Sequence, residues 1–329
     1  MSQSSSEISS VAVVGAGAMG AMYAAHFARA GFRVRLVARG DRARRLASAG
    51  LTVNGEPLAA EIVDTEQGDH EPADLVLVAV KHQQLGEALE TVAPLVGPDT
   101  TFLSVLNGLD SEAAILERFG TPERVLPCIA LAMDAERVGN NEIRFRQAGR
   151  LTFGDPAGAA SEGGAPSERV RRVQRALDRA GLKWETPADM QRSMWWKFMV
   201  NVGINQATAV LDAPYGAFQH DGPARSLMWA LIEEAIAVGR AEGVELGDDD
   251  RAMWDEVLSG QPAEGRTSMH QDVLAGRETE VDIFAGRVVE LGEKTGIPTP
   301  HNQTLWWILS ATSKQNRPLS GGDPPPRHR

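Results

Sequence analysis

Residues 11–20 read Val-Ala-Val-Val-Gly-Ala-Gly-Ala-Met-Gly, and this stretch decides the fold. A short apolar run over 10–15 ends in glycine, and residues 19–30 carry the apolar spacing of a helix. Gly15, Gly17 and Gly20 stand directly between the two. In such a unit the first glycine permits the tight turn and the second lets the backbone approach a pyrophosphate. The third lets the helix pack closely on the strand. The free N–H groups and positive dipole end of the helix then face the phosphates. A glycine-rich turn alone can be merely structural. With a strand before it and a helix after it, this one predicts a dinucleotide seat built from Gly15, Ala16, Gly17, Ala18, Met19 and Gly20.

Outward from that turn, strands and helices alternate. RVRLVA (33–38) reads as the next strand, followed by a basic helix from Arg42 to about Ala49. Asn54-Gly55, the strongest short hairpin signal, marks a hairpin over 51–63. DLVLVAV (74–80) and TFLSVL (101–106) are continuous apolar runs, as parallel strands buried on both faces should be. VLPCIALAM (125–133), EIRFR (142–146) and LTFGD (151–155) are expected to extend the sheet, with Asn140-Asn141 turning a hairpin between them. The alternation predicts an α/β fold: an N-terminal Rossmann-type doubly wound sheet with right-handed crossovers. The Gly/Ala/Ser/Pro-rich loop 154–167 resembles a linker, but a helix (168–181) and a short strand (LKWET, 182–186) follow it. The boundary is therefore placed near Pro187. Residues 1–187 form the cofactor domain, 188–315 an all-helical substrate and catalytic domain, and 316–329 a tail expected to be disordered.

Composition narrows the function classes. The chain has 329 residues, enough for two domains. Its net charge of −11 offers no general basic field for nucleic acid or anionic membrane, so an anionic substrate must be drawn in by local cations. One cysteine, Cys128, excludes an intrachain disulfide, fits a reducing compartment, and reads as a small core residue within its apolar run. The first ten residues lack the apolar segment of a signal peptide, and no window approaches ~20 uninterrupted apolar residues. A soluble, cytoplasmic protein without metal is the expectation, and a homodimer is allowed.

The end of the second strand selects the cofactor. NAD sites usually carry Asp or Glu there for the ribose 2′-OH; this chain has LVARGDR, with Arg39 at that position and Arg42 nearby. A guanidinium suits a 2′-phosphate, which favours NADP(H). Arg39 could also be a solvated loop charge, and Asp41 leaves NAD open. Two further strand-end loops carry Lys81 with Gln84 and Asn107 with Gly108.

In the second half, MQRSMWWKFMVNVGINQATAVL (190–211) places Lys197, Asn201 and Asn205 at i, i+4 and i+8, on one narrow stripe that Ser193 continues. Almost everything else from Met194 to Ile204 is apolar. A solvated helix face is wider and more varied in charge, so the ammonium and the two amides must face a wet cleft or each other. The plainer account is a helix-end Lys with two amides bonding backbone. The functional one is a proton donor with two orienting amides. Farther on, Ser268 is expected to open a helix that Gly276 breaks. Thr279 then caps the next, with Glu280 in its first turn, where acidic residues are common for dipole reasons alone.

Taken together, GAGAMG, the K-x-x-Q of KHQQ, LNG, WWKFMVNVGIN, TSM, TEVD and GIPTPHN resemble the ketopantoate reductase (2-dehydropantoate 2-reductase) family from Val11 to about Ile308. The resemblance implies a Rossmann domain plus a helical domain, with the active site in the cleft between them. It implies NADPH-dependent reduction of ketopantoate to (R)-pantoate, as in pantothenate biosynthesis. Lys197 then corresponds to the general acid, with Glu280 and Ser268 contacting the substrate hydroxyl and carboxylate. Asn201 and Asn205 bind substrate, and Asn107 lies near the nicotinamide. Lys81 and Gln84 form the cofactor-side loop, and Arg39 receives the 2′-phosphate. Leu106, Gln206 and Ala285 depart from the family's common Gln or His, Pro and Asn, and the paired Trp195-Trp196 is bulkier than usual. A reductase of another branched or aromatic 2-oxo acid or imine, and a catalytically silent NADP-binding regulator, are the alternative readings.

Overall fold

The computed structural model describes residues 7–139, 141–156 and 165–315. The expectations for Asn140 and for the tail 316–329 fall outside those residues. The chain divides into two compact units, Met1–Met194 and Trp195–Arg329.

In the first unit, β1 (Ser10–Val14) passes through the glycine turn into α1 (Ala18–Arg29), β2 (Arg33–Ala38) and α2 (Gly40–Ala49). A small hairpin, β3 (Thr52–Val53) and β4 (Glu56–Pro57), precedes β5 (Glu61–Asp64). The alternation resumes with β6 (Leu75–Val78), α3 (Leu85–Val92), β7 (Thr101–Ser104), α4 (Ser111–Phe119) and β8 (Val125–Leu126). Six strands make one parallel sheet in the order β5-β2-β1-β6-β7-β8. The chain leaves β1 first toward β2 and later returns on its other side at β6, so the switch point lies between the C-terminal ends of β1 and β6. The central strands alternate their side chains between two dry layers. Val11, Val13, Leu75 and Leu77 face one core with Met22 and Phe27, while Val14, Val76, Val78 and Phe102 face another with Leu89 and Ile115. With both faces covered, a strand reads as an unbroken apolar run. The doubly wound N-terminal sheet expected from the sequence is present.

The remaining strands do not extend it. β9 (Cys128–Leu131) pairs with β12 (Arg150–Phe153), which pairs with β13 (Lys183–Glu185) beyond α5 (Glu168–Arg179), in a separate three-stranded sheet. Pro127 explains the break, because it offers no N–H to continue the ladder after β8. β10 (Glu136–Arg137) and β11 (Glu142–Arg144) pair with each other, and β11 runs parallel to β3 in a third sheet. The hairpin turn is as expected, with Asn54 at φ +52° and Gly55 at +83°. Its second arm is not: residues 61–64 leave the hairpin and add to β2, which buries Val63.

The second unit contains only helices among its described residues, as expected from the loss of strand patterning. α6 (Met190–Leu211) starts in the first unit and is followed by α7 (Pro223–Ala241), α8 (Asp248–Ser259), α9 (Ser268–Leu274), α10 (Ala285–Thr295) and α11 (Pro300–Gln315). Gly203 lets α6 press on α7, since a Cβ there would overlap Ile232. Glu234 of α7 caps α11: its carboxylate accepts the N–H groups of His301 (2.8 Å) and Asn302 (2.9 Å), two donors otherwise orphaned at a helix start. No described helix is long and apolar enough to cross a membrane.

Candidate active site

Gly15 takes φ +108°, and a Cβ there would overlap the Ala79 carbonyl, so only glycine fits this corner. A Cβ on Gly20 would overlap the Gly15 carbonyl oxygen and lie 3.2 Å from the Ala79 Cβ; α1 therefore packs against the turn and the end of β6 with no room to spare. Gly17 is different. It is the N-cap of α1, has no side-chain cap, and nothing stands within 4 Å of where its Cβ would be. Gly17 thus leaves open space at the start of α1, whose first N–H groups have no side-chain cap, as a pyrophosphate seat requires.

The other cofactor-side residues lie at the same end of the sheet. Arg39 is the N-cap of α2 after β2, Lys81 and Gln84 bracket a 3-10 turn after β6, and Asn107 follows β7 beside Gly108 at φ +92°. Sequence reading missed the company Arg39 keeps. Its Nε is 3.6 Å from Glu66 Oε1, and the adjacent Asp64 accepts the Gly40 N–H at 2.9 Å, a bond that holds the Asp64 carboxyl below its usual range. Both acids follow from the unexpected placement of β5 beside β2.

Glu112, also unanticipated, opens α4 just after the Asn107 loop. Its carboxylate accepts the Ser111 hydroxyl (2.9 Å) and, more weakly, the Cys128 N–H (3.4 Å). Burial of the carboxyl raises its pKa. Cys128 is buried and in no disulfide among the described residues, as a core residue.

In the second unit, Lys197, Asn201 and Asn205 stand at four-residue steps along α6 between buried Trp195, Phe198, Met199, Val202 and Ile204. The Asn201 and Asn205 side-chain amides have no hydrogen-bond partner among the described residues, although Asn205 is only 7% exposed. Polar groups in such a place call for a ligand or water. Ser193 is ordinary helix bonding, its hydroxyl donating to Asp189 O at 2.9 Å. Ser268 is the exposed first residue of α9. The N-cap is Thr267, whose hydroxyl shares a 2.7 Å hydrogen bond with Thr208 of α6 and so ties the two helices together. Glu280 is not in the first turn of a helix capped by Thr279. It is the partly buried N-cap of a 3-10 turn, Val281–Ile283, and α10 begins only at Ala285.

The departures have structural explanations. Gln206 is fully buried: its Oε1 accepts the Ala285 N–H (3.0 Å) and its Nε2 donates to Val202 O (2.7 Å) and Asn302 Oδ1 (3.2 Å). Two of the unusual residues are thus partners. Trp195 packs on Phe198 and against Gly239 of α7, while Trp196 donates to Asp250 O (3.3 Å), so the two indoles serve packing within the helical unit.

Two family models match this architecture, Ketopantoate reductase PanE/ApbA over residues 11–158 and its C-terminal counterpart over 189–313. The 2-dehydropantoate 2-reductase of Mesorhizobium japonicum is 30% identical over 319 residues, covering 88% of this chain and 93% of that protein.

The chain belongs to the ketopantoate reductase family.

It is therefore an oxidoreductase of the CH–OH class, like the family members it matches. Among solved structures, a PanE/ApbA family ketopantoate reductase from Ralstonia eutropha JMP134 superposes with a TM-score of 0.78 at 26% identity, covering 93% of this chain and 99% of that one. A D-mandelate dehydrogenase, solved with NADH and anilino(oxo)acetate, has the same fold at a TM-score of 0.81 and 22% identity, over 93% and 99%.

Proposed function

We propose that this ketopantoate reductase-family protein reduces 2-dehydropantoate to (R)-pantoate with NADPH. The observation that carries the reading is the α6 stripe: one ammonium and two amides with no hydrogen-bond partner among the described residues, on a helix otherwise given over to core packing. The glycine turn supports a dinucleotide, and Arg39 supports a 2′-phosphate. On this reading residues up to Pro187 bind cofactor and residues 188–315 supply the catalytic groups.

The bound nicotinamide supplies a hydride to the keto carbon. Lys197 donates a proton to the alkoxide oxygen as negative charge develops there, the role of a general acid. Asn201 and Asn205 donate hydrogen bonds that fix the carbonyl for attack. Ser268 receives the substrate carboxylate and Glu280 accepts from the nascent hydroxyl; Glu280 also keeps an anion in the site, which favours charged Lys197. Asn107 orients the nicotinamide end, and Lys81 and Gln84 line its approach.

The test is a panel of 2-oxo acids, ketopantoate, branched and aromatic, assayed with NADPH and NADH by nicotinamide absorbance. Ketopantoate with NADPH should give the highest kcat/KM. An aromatic 2-oxo acid favoured over ketopantoate would replace the substrate, and tight NADPH binding with no turnover on any member would leave a regulator. NADH has a specific observation behind it, the Asp64 and Glu66 carboxylates beside Arg39; equal efficiency with both cofactors would remove the NADP assignment.

A further inference from the structure

α6 ends at Leu211, and the chain leaves it through Asp212 in the left-handed region, at φ +48°. The Ala213 N–H donates back to the Thr208 carbonyl (3.2 Å), the bond that closes a helix through a left-handed residue. Glycine is the usual residue at such a cap because it has no Cβ to strain. An aspartate there meets two penalties. Its backbone is less at ease left-handed than a glycine's, although Asp tolerates the region better than most residues. Its carboxylate also stands at the negative end of the α6 dipole. Against both, Asp212 Oδ1 lies 2.7 Å from His270 Nε2 of α9. A carboxylate only accepts, so the ring nitrogen donates.

An exposed ion pair is ordinarily worth little, and the Asp212 side chain is 74% exposed. The other end of the contact sets it apart. His270 is 1% exposed, and its Nδ1 is buried with no hydrogen-bond partner among the described residues, so the ring is oriented by Asp212. A second tie runs beside it. The Thr208 hydroxyl donates to Ile204 O (2.8 Å), so the Thr267 hydroxyl donates to Thr208 (2.7 Å) and accepts the His270 N–H (3.2 Å). Asn205, Thr208 and Asp212 follow one another at i, i+3 and i+7, on one face of α6. Thr267 and His270 flank Ser268 in the chain. The face of α6 that carries Asn205 therefore grips the turn of α9 that carries Ser268. With seven residues, α9 is too short to hold its place by itself.

We propose that Asp212 and His270 are positioning residues for substrate: their hydrogen bond sets Ser268 against Asn205, so that one small 2-oxo acid meets both. The inference rests on the reductase reading above, in which Ser268 receives the substrate carboxylate and Asn205 the carbonyl. Neither Asp212 nor His270 touches substrate on this account. Loss of the tie loosens binding of the 2-oxo acid and leaves the cofactor and the Lys197 proton untouched, so its effect falls on KM rather than on kcat.

The experiment compares the full chain with Asp212→Gly and Asp212→Asn. Glycine suits the left-handed cap, so the first variant removes the tie without endangering the fold. Asparagine keeps an acceptor oxygen and tolerates the same backbone, and is the rescue. Steady-state kinetics use NADPH and ketopantoate, or whichever panel member the unmodified chain reduces best. Asp212→Gly should raise the KM for the 2-oxo acid about tenfold, the scale of one hydrogen bond to a charged group, with kcat and the KM for NADPH within about twofold. Asp212→Asn should restore most of the loss. In ligand-free protein, amide hydrogen exchange over residues 267–274 should quicken in Asp212→Gly and return toward the parental rate in Asp212→Asn. Parental exchange in Asp212→Gly would show that the pair does not hold α9, and faster exchange with a parental KM would make the tie structural alone; either result overturns the proposal. An unmodified chain that reduces no 2-oxo acid would instead remove the reductase reading, and this inference with it.

Discussion

Gln206 is the residue whose environment explains most about its neighbours. Its amide joins the first N–H of α10 to Asn302 of α11, and Asn302 Nδ2 in turn donates to Glu234 of α7 (2.8 Å). Gln206→Leu keeps the bulk and leaves buried groups unpaired. It should destabilise the protein by about 1–3 kcal/mol per orphaned group, read by urea unfolding, and a loss indistinguishable from zero would mean that the network relaxes. Lys197 makes the opposite kind of prediction. Lys197→Ala should lower kcat by about 10²–10⁴-fold, the range for loss of a general acid, with the melting temperature little changed; parental kcat would reject the role. Individual residues were legible where chemistry is local. The three glycines and the Lys–Asn–Asn spacing could be read from adjacent letters. Arg137 could not, because it reaches Ala16 only through a hairpin whose place depends on β3, and nothing near position 137 announces that contact.

Among elements, the start of β1 and the start of β6 are fastened by one carboxylate. Asp74 Oδ2 accepts the N–H groups of Ser9 and Ser10, both at 2.9 Å, and their hydroxyls at 2.9 and 3.0 Å. Burial pushes the Asp74 pKa up, but the four donors outweigh it and hold the carboxyl below its usual value. A depressed carboxyl contributes stability that is present above the ordinary Asp range and is lost as pH falls through the depressed folded value. Asp74→Asn should therefore destabilise at neutral pH by about 1–2 kcal/mol, allowing for solvent screening at a partly exposed site. The difference from the parent should shrink as both are acidified, and a pH-independent gap would assign it to packing. The central parallel strands were readable because burial on both faces leaves an unbroken apolar signature, even in the four residues of β6 and β7. Short strands that are only partly buried, such as β5 and β11, carry no such signature, so their sheet membership stayed hidden until pairing was seen. The onset of α10 differs from the expected one because a 3-10 turn, Val281–Ile283, intervenes, with Glu280 rather than Thr279 as its N-cap and no side-chain cap.

At the scale of the whole molecule, α6 matters because it belongs to both units. Met190 lies against Gly154, 3.0 Å from where a Cβ would sit there, and the same unbroken helix then runs on through the second unit. Of the seven tryptophans, only Trp184 is in the first unit, so intrinsic fluorescence reports chiefly on the second. If the shared helix couples them, NADP⁺ at about 100 times its Kd should stabilise the fluorescence-detected transition by ~2.7 kcal/mol, in step with far-ultraviolet circular dichroism. A fluorescence curve that ignores the nucleotide while dichroism shifts would show that the units unfold separately. The bipartite plan was visible in the sequence as the point where strand patterning stops. Which helices lock to which was not, since the contacts run through buried amides and small residues that look unremarkable in a string.

The β3–β4 hairpin has a bearing on synthesis. Asn54 Nδ2 donates to the carbonyl of Phe145, 91 residues later, and β3 takes β11 as its parallel neighbour. A nascent chain leaving the ribosome exposes that hairpin with one edge bare until the distant segment has been translated. During that interval the edge is a template for other strands. Any slowing of elongation between codons 58 and 141 lengthens the exposure, so expression yield should respond to codon choice in that window more than elsewhere in the gene.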